Sequence, residues 1–205
     1  MTKTMKNAII IHGTCDKEEY YSPEYPSASN FHWLPWLQKQ FLIKDIAAAT
    51  PEMPHGYMPD YKVWKREFER FDITPETILV GHSCGGGFLV RWLSESKSQE
   101  VGKVVLVAPW LDPNKRKGED NDFFDFEMDS DLVSRTGGVT IFNSDNDDEA
   151  IQTSVKKIMD SIPDIKLVDF HSKGHFCLSD LGTEAFPELL EEALLESGPI
   201  DVPAP

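Results

Sequence analysis

The sequence predicts an α/β fold: a mostly parallel sheet of about six strands with helices on both faces. Short apolar runs rich in β-branched residues alternate along the chain with segments whose apolar residues recur at helical spacing. A repeated strand–helix order places helices on both faces of a parallel sheet, which gives three layers. Neither a repeat nor a linker divides the chain, so residues 1–205 are predicted to form one domain.

In the first half of the chain, the isoleucine-rich run Ala8–His12 predicts a buried strand. Asn30 is expected to cap a helix that carries apolar residues about a turn apart: Trp33, Leu34, Leu37 and Phe41. A weaker strand is predicted at Lys44–Ala49. Pro59 is expected in the first turn of the next helix, where proline is well accommodated. The apolar face of that helix would consist of Tyr61, Trp64, Phe68 and Phe71.

In the second half, strands are predicted at Thr77–Val80, Lys103–Ala108, Val139–Phe142 and Ile165–Phe170, with a helix over Cys84–Ser94. Two more helices are indicated by apolar residues at helical spacing: Ile151, Val155, Ile158 and Met159 in one, and Leu189, Leu190, Ala193 and Leu194 in the other.

The segment Asp112–Gly138 interrupts this alternation, because it is too long and too polar for an ordinary connection. Its aromatic residues are interleaved with acidic ones between Phe123 and Met128. Two interpretations remain open at this point. The segment is either a solvated excursion with a few residues docked on the core, or a partial lid over a pocket.

The composition restricts partners and compartment. The formal net charge of −15 argues against binding to nucleic acids and to anionic membranes, both of which require a basic surface. No apolar run approaches the roughly 20 residues of a membrane helix, and the N-terminus lacks the pattern of a signal peptide. The three cysteines, Cys15, Cys84 and Cys177, are predicted to be reduced thiols of a cytoplasmic protein.

The stretch TILVGHSCGGGFLVRW, Thr77–Trp92, contains the pattern G-x-S-x-G at Gly81–Gly85. A strand precedes it and a helix follows it, as a serine nucleophile on a sharp turn requires. Small residues are needed two positions before and after Ser83, and the first amides of the helix face a developing oxyanion. No lysine follows Gly87, so the segment is not a phosphate-binding P-loop, and it does not match a dinucleotide-binding motif.

A serine nucleophile requires a base and an acid that orients the base, and both are expected in loops after later strands. Three aspartates follow one predicted strand: Asp147 is the preferred acid, Asp145 is second, and Asp148 is a better candidate for a helix cap. His175 is preferred as the base over His171, since it follows a glycine in a loop.

Other uses of these residues are less favoured. His171, His175 and Cys177 match no closed zinc site, so no metal and no cofactor are expected. Cys84 is predicted to be a buried, inert thiol. The remaining histidines are expected to form local hydrogen bonds, and the tryptophans Trp33, Trp36 and Trp110 are expected in the core more than in a pocket.

Together these motifs resemble the α/β-hydrolase superfamily, and within it the small serine hydrolases related to retinoblastoma-binding protein 9 and bacterial YdeN. The resemblance covers nearly the whole chain, from AIIIHG to GHF. It implies a spatial strand order of 2-1-3-4-5-6. It also implies Ser83 as nucleophile, His175 as base and, three residues after Ser144, Asp147 as acid. The long first loop, HGTCDKEEYYSPEYPSASN, departs from shorter loops in relatives and leaves the substrate range open.

The resemblance further implies an oxyanion hole formed by the amide of Cys84 and by an amide near Gly13 or Thr14. The expected activity is hydrolysis of a small carboxylic ester, or of an amide or thioester, through an acyl-enzyme and without a cofactor. The alternative is a catalytically weak protein with the same fold that binds a protein partner, for which the Phe123–Met128 segment is a candidate surface.

Overall fold

The computed structural model describes residues 6–113 and 122–195, and its centre is a six-stranded sheet. Every pairing between neighbouring strands is parallel. The strands in chain order are β1 (Asn7–Ile11), β2 (Ala47–Ala49), β3 (Ile78–His82), β4 (Val104–Val107), β5 (Val139–Ser144) and β6 (Lys166–Phe170). Their spatial order is β2-β1-β3-β4-β5-β6, which confirms the predicted order.

Helices cover both faces of the sheet. They are α1 (Lys17–Tyr21), α2 (Leu34–Ile43), α3 (Tyr61–Phe68), α4 (Cys84–Glu95), α5 (Glu149–Ser161), α6 (Leu178–Leu181) and α7 (Pro187–Leu194). The chain moves from β1 outward to β2 and then back across β1 to β3. Right-handed crossovers in opposite directions place α2 on one face and α3, α4 and α5 on the other.

The packing of aromatic side chains agrees with this arrangement. Phe68 of α3 meets Phe88 and Trp92 of α4, with ring centroids 5.4 and 4.9 Å apart. On the opposite face, Trp33 at the start of α2 lies 6.0 Å from Phe186 at the start of α7. The four central strands are buried, whereas the edge strands β2 and β6 are partly exposed. The molecule is therefore a three-layer α/β sandwich.

Two predicted helix starts are wrong. Asn30 is not a helix cap; it ends a short 3₁₀ turn, Ala28–Asn30, and its side-chain amide donates to Ser27. Helix α2 begins at Leu34 instead, with a proline in its first turn. Pro59 lies outside α3, because Asp60 is the cap and accepts a hydrogen bond from the Val63 N–H at 3.0 Å.

The predicted end of one helix and the predicted start of one strand also differ from those in the structure. Helix α3 ends at Phe68, so Phe71 is not part of it. Strand β2 begins only at Ala47, since Asp45 has a φ of 59°, which is incompatible with an extended strand. Helices α1 and α6 were not predicted. They have only five and four residues, too few to show a periodic pattern.

The described part of the polar segment, from residue 122 onward, is docked on the core. Phe123 is buried, with its ring 5.2 Å from that of Trp64. The guanidinium of Arg91 on α4 donates to the carbonyl oxygens of Asp122 and Phe123 and lies 3.6 Å from the centre of the Tyr61 ring. Residues 114–121 of the predicted excursion lie outside the described residues. The division of the chain into a single domain stays a prediction.

Candidate active site

The nucleophile turn, residues 81–85, joins β3 to α4 at the carboxyl edge of the sheet. Ser83 has φ 52° and ψ −121°, a conformation that is strained for any residue other than glycine. A Cβ atom at Gly81 would lie 2.7 Å from the Gly85 carbonyl oxygen, and one at Gly85 would lie 2.5 Å from the carbonyl oxygens of Ile11 and His12. The turn therefore requires glycine at both positions. It holds Ser83 at the point where strands are no longer added on one side of β1 but on the other.

The acid loop, residues 144–148, follows β5, and Asp147 is its member that faces His175. The His175 Nδ1–H donates to Asp147 Oδ2 at 2.9 Å. The Asp147 side chain is only 2 % exposed, whereas that of His175 is 30 % exposed. A buried carboxylate on Nδ1 holds the proton there and leaves Nε2 free to accept one.

Asp145 serves a different purpose from Asp147. Its carboxylate accepts a hydrogen bond from the Ser172 N–H at 2.9 Å and pairs with His171. The hydrogen bond from the Ser172 N–H is the main cause that lowers the pKa of Asp145, and the nearby His171 lowers it further. The His171 side chain is 94 % exposed. The structure thus places the preferred acid and base, Asp147 and His175, in contact. The second candidates, Asp145 and His171, contact each other at the surface.

The histidine loop, residues 171–177, is held by side chains for which the sequence analysis predicted no such role. Ser144 Oγ accepts from the Lys173 N–H, and Asn146 Oδ1 accepts from the Gly174 N–H, each at 2.9 Å. From the other side, Asp180 Oδ2 accepts from the N–H groups of His175 and Cys177. The aspartate three residues after Cys177 is a weak capping signal, because cysteine replaces the usual serine or threonine.

His82 links the nucleophile turn to the histidine loop. Its Nε2–H donates to the His175 carbonyl oxygen at 2.8 Å, and its ring lies 4.9 Å from the His175 ring. The pKa of His82 lies well below its usual value, mainly because the ring is buried and secondly because His175 is close to it. His82 is therefore neutral and acts as a fixed donor.

Ser83 and His175 line one cleft, together with the first loop after β1. The cleft is small, with a volume of ≈ 60 Å³. The Ser83 hydroxyl has no hydrogen-bond partner among the residues that the structure describes. The Ser83–His175 hydrogen bond is thus not formed in this conformation, and the two side chains face the same cleft.

The first loop, which follows β1, lies against the Ser83 side chain. A Cβ atom on Gly13 would lie 2.9 Å from that of Ser83, so the first loop passes directly beside the serine. Within the described residues, the N–H groups of Gly13, Thr14 and Cys84 have no acceptor. His12 anchors this loop: its Nδ1–H donates to the Gly13 carbonyl oxygen at 2.6 Å, and its Nε2 accepts from the Met53 N–H at 2.8 Å.

The charge and composition of the cleft are also informative. Among the described residues that line the cleft, Glu19 carries a carboxylate and none is a lysine or an arginine. Cys84 is fully buried, and burial raises the pKa of its thiol, as expected for an inert cysteine. Trp33 is buried in the core and Trp36 and Trp110 pack against it, so the tryptophans belong to the core as predicted.

No described residue of 122–138 lines the cleft, which gives no support to the lid interpretation.

In residues 6–113 and 122–195, no three or more His, Cys, Asp and Glu side chains are grouped as metal ligands would be. Over the same ranges, no helix has the length and apolar content needed to cross a membrane.

Comparisons with known proteins identify the family of the chain and several similar folds. The family model described as serine hydrolase matches residues 21–194. The ydeN gene product from B. subtilis has 22 % identity and a TM-score of 0.74, over 91 % of this chain and 95 % of that chain. A putative YdeN-like hydrolase from Pectobacterium atrosepticum has 19 % identity and a TM-score of 0.56, over 91 % of each chain.

A third similar structure comes from a report on LipS and LipT, two metagenome-derived lipolytic enzymes. It has 16 % identity and a TM-score of 0.61, over 92 % of this chain and 91 % of that chain. At these identities the likeness concerns the fold. No curated protein matches the sequence significantly.

Proposed function

The chain belongs to the serine hydrolase family, and from this we propose that it cleaves small carboxylic esters with a Ser83–His175–Asp147 triad. One observation carries the proposal: the buried Asp147 carboxylate accepts from His175 Nδ1 in the cleft where Ser83 occupies a strained turn. A carboxylate, an imidazole and a raised serine in this relation are the parts that acyl transfer to serine requires.

The reaction proceeds in two halves. Ser83 Oγ attacks the carbonyl carbon of the ester while His175 Nε2 takes the hydroxyl proton. The tetrahedral intermediate then expels the alcohol, to which His175 returns the proton, and an acyl-enzyme remains. Water attacks the acyl-enzyme with His175 again as base, the acid leaves, and Ser83 recovers its proton. Asp147 keeps the imidazole in the required tautomer and stabilises its charged form.

The oxyanion of each tetrahedral intermediate would be held by backbone amides. The candidates are the first amide of α4, at Cys84, and the amide of Gly13 or Thr14 in the first loop, whose N–H groups have no acceptor among the described residues. A donor of this kind contributes about 3–4 kcal/mol to the transition state. The same groups would act on a thioester or an amide.

The size of the cleft supports a small substrate. A cavity that holds a single water needs roughly 10–15 Å³, so a cleft of ≈ 60 Å³ has room for a short acyl group. The three cysteines are free, which supports our proposal of a cytoplasmic location.

Labelling with a fluorophosphonate tests the nucleophile. We expect labelling of the wild type and none of Ser83→Ala, whose kcat on a short p-nitrophenyl ester should fall at least roughly 10³-fold. Ser161→Ala, at the exposed end of α5, serves as the control and should be labelled like the wild type. A folded wild type that neither reacts with the probe nor cleaves esters would contradict the proposal and favour a partner-binding protein.

A further inference from the structure

A second histidine lines the cleft beside the proposed triad. His32 precedes α2, and its backbone has a φ of 55°, which is uncommon for a residue other than glycine. The Phe31 ring stacks on the imidazole, with centroids 4.1 Å apart and planes at 15°. A strained backbone and a stacked ring together hold this side chain in one orientation.

The hydrogen bonds of His32 determine which ring nitrogen carries the proton. Its Nδ1 accepts from the Leu178 N–H at 3.1 Å, so Nδ1 has no proton. Burial first, and then the neighbouring His175, lowers the pKa of His32 to about 4, so the ring is neutral at pH 7. The remaining proton is therefore on Nε2, which has no partner among the described residues.

The neighbours of His32 indicate which part of a substrate it meets. The His32 ring packs edge-on against His82 at 5.9 Å, the His82 ring lies 4.9 Å from that of His175, and His32 and His175 line the same cleft. Since His175 must deliver a proton to the leaving oxygen, groups beside His175 flank the alcohol part of the ester. The oxyanion side of the cleft, by contrast, is occupied by the backbone at Gly13 and Cys84.

We infer that His32 is a specificity-determining residue whose Nε2–H donates a hydrogen bond to an oxygen atom on the alcohol part of the substrate. This inference rests on the proposed function and narrows its substrate class to esters of oxygenated alcohols, such as glycol or polyol esters. A fixed donor that meets a methylene group instead of an oxygen loses its hydrogen bond to water without replacement, which disfavours the plain alkyl ester.

Two pairs of matched esters test the inference. 2-Methoxyethyl acetate and butyl acetate differ by one oxygen in the alcohol part, and p-nitrophenyl methoxyacetate and p-nitrophenyl butyrate differ by one oxygen in the acyl part. Within each enzyme variant, kcat/KM is expressed as the ratio of the oxygenated ester to the alkyl ester. A general loss of activity cancels in such a ratio.

His32→Asn supplies an acceptor near the Nδ1 position, tolerates the positive φ and has no group at Nε2. We expect it to lower the alcohol-pair ratio roughly five- to tenfold, the effect of one hydrogen bond, and to leave the acyl-pair ratio unchanged. His32→Gln, which places an N–H₂ near the Nε2 position, should restore part of the alcohol-pair ratio.

Three outcomes would overturn the inference. An unchanged alcohol-pair ratio in His32→Asn would show that the donor does not meet the substrate, and a change in the acyl pair alone would place it on the wrong side. In both cases the wild type still cleaves esters, so the triad would be unaffected. A wild type that cleaves none of the four esters and is not labelled at Ser83 would overturn the proposed function and the inference with it.

Discussion

The nucleophile turn and the histidine loop meet in one cleft, yet different interactions hold them. The turn is held by close backbone packing, since a Cβ atom on Gly85 would lie 2.5 Å from the carbonyl oxygens of Ile11, at the end of β1, and of His12. The histidine loop is held by side chains that accept from its backbone N–H groups. These side chains are Ser144, Asp145, Asn146 and Asp180.

This difference predicts how each region responds to change. Close packing leaves no room for an added atom, so the nucleophile turn should tolerate no larger residue at its glycines. The hydrogen bonds of the histidine loop contribute about 1 kcal/mol each, so that loop should weaken in steps as single bonds are removed. The site thus combines a rigid nucleophile with a base whose position depends on several separate contacts.

The largest expected effect comes from the carboxylate that contacts the base. Asp147→Asn should lower kcat about 10³- to 10⁴-fold, because an amide can donate to Nδ1 and thereby stabilise the wrong tautomer of His175. Asp145→Asn is the matched control in the same loop. It removes the negative charge that pairs with His171 but keeps an amide oxygen that can accept from the Ser172 N–H, so it should lower kcat less than about tenfold.

Kinetics with a short p-nitrophenyl ester, together with circular dichroism to confirm folding, would measure both variants. If Asp145→Asn reduced kcat as much as Asp147→Asn, the assignment of the acid would be wrong.

A smaller effect is expected from breaking the packing of the nucleophile turn. Gly85→Ala should destabilise the protein by about 3 kcal/mol or more, because the new methyl group meets backbone atoms that cannot move aside. In a chain of this size that corresponds to a decrease in Tm of roughly 6–12 °C. Gly56→Ala, whose methyl group would lie 3.4 Å from the His12 ring, is the control and should change Tm little. Equal Tm values for the two variants in thermal unfolding would contradict the steric explanation.

The smallest effect concerns His82, which connects the two regions. The pKa of His82 is lowered by burial, so below about pH 6.5 the unfolded chain binds a proton that the folded chain does not. Stability should therefore decrease as the pH falls through this range. At pH 5 the contribution of one such histidine amounts to at most about 2 kcal/mol.

His82→Gln keeps an N–H donor for the His175 carbonyl oxygen but does not titrate, so it should lose about 2 kcal/mol less stability than the wild type between pH 7 and pH 5. Urea unfolding at both pH values would measure this difference. His171→Gln, on a side chain that is 94 % exposed, should behave like the wild type. A His82→Gln variant with the wild-type pH dependence would show that His82 is not held neutral.

Much of the fold could be predicted from the sequence. All six strands are confirmed, because buried β-branched runs in an alternating order identify a parallel sheet. Their spatial order, which the family resemblance implied, is confirmed as well. The helix starts at Asn30 and Pro59 could not be predicted correctly, since several neighbouring residues are suitable as caps and tertiary packing selects among them. The short helices α1 and α6 gave no periodic signal.

The candidate active site, like the fold, has features that could be predicted from the sequence and features that could not. The sequence by itself determined the nucleophile turn, because the glycines around Ser83 and the flanking strand and helix are local properties of one continuous segment. Only the tertiary structure decided that Asp147 contacts His175, that Asp145 holds the loop backbone, and that His32 accepts from the Leu178 N–H beside the cleft. These roles depend on the direction of side chains in segments far apart in sequence, and residue type and spacing do not specify that direction.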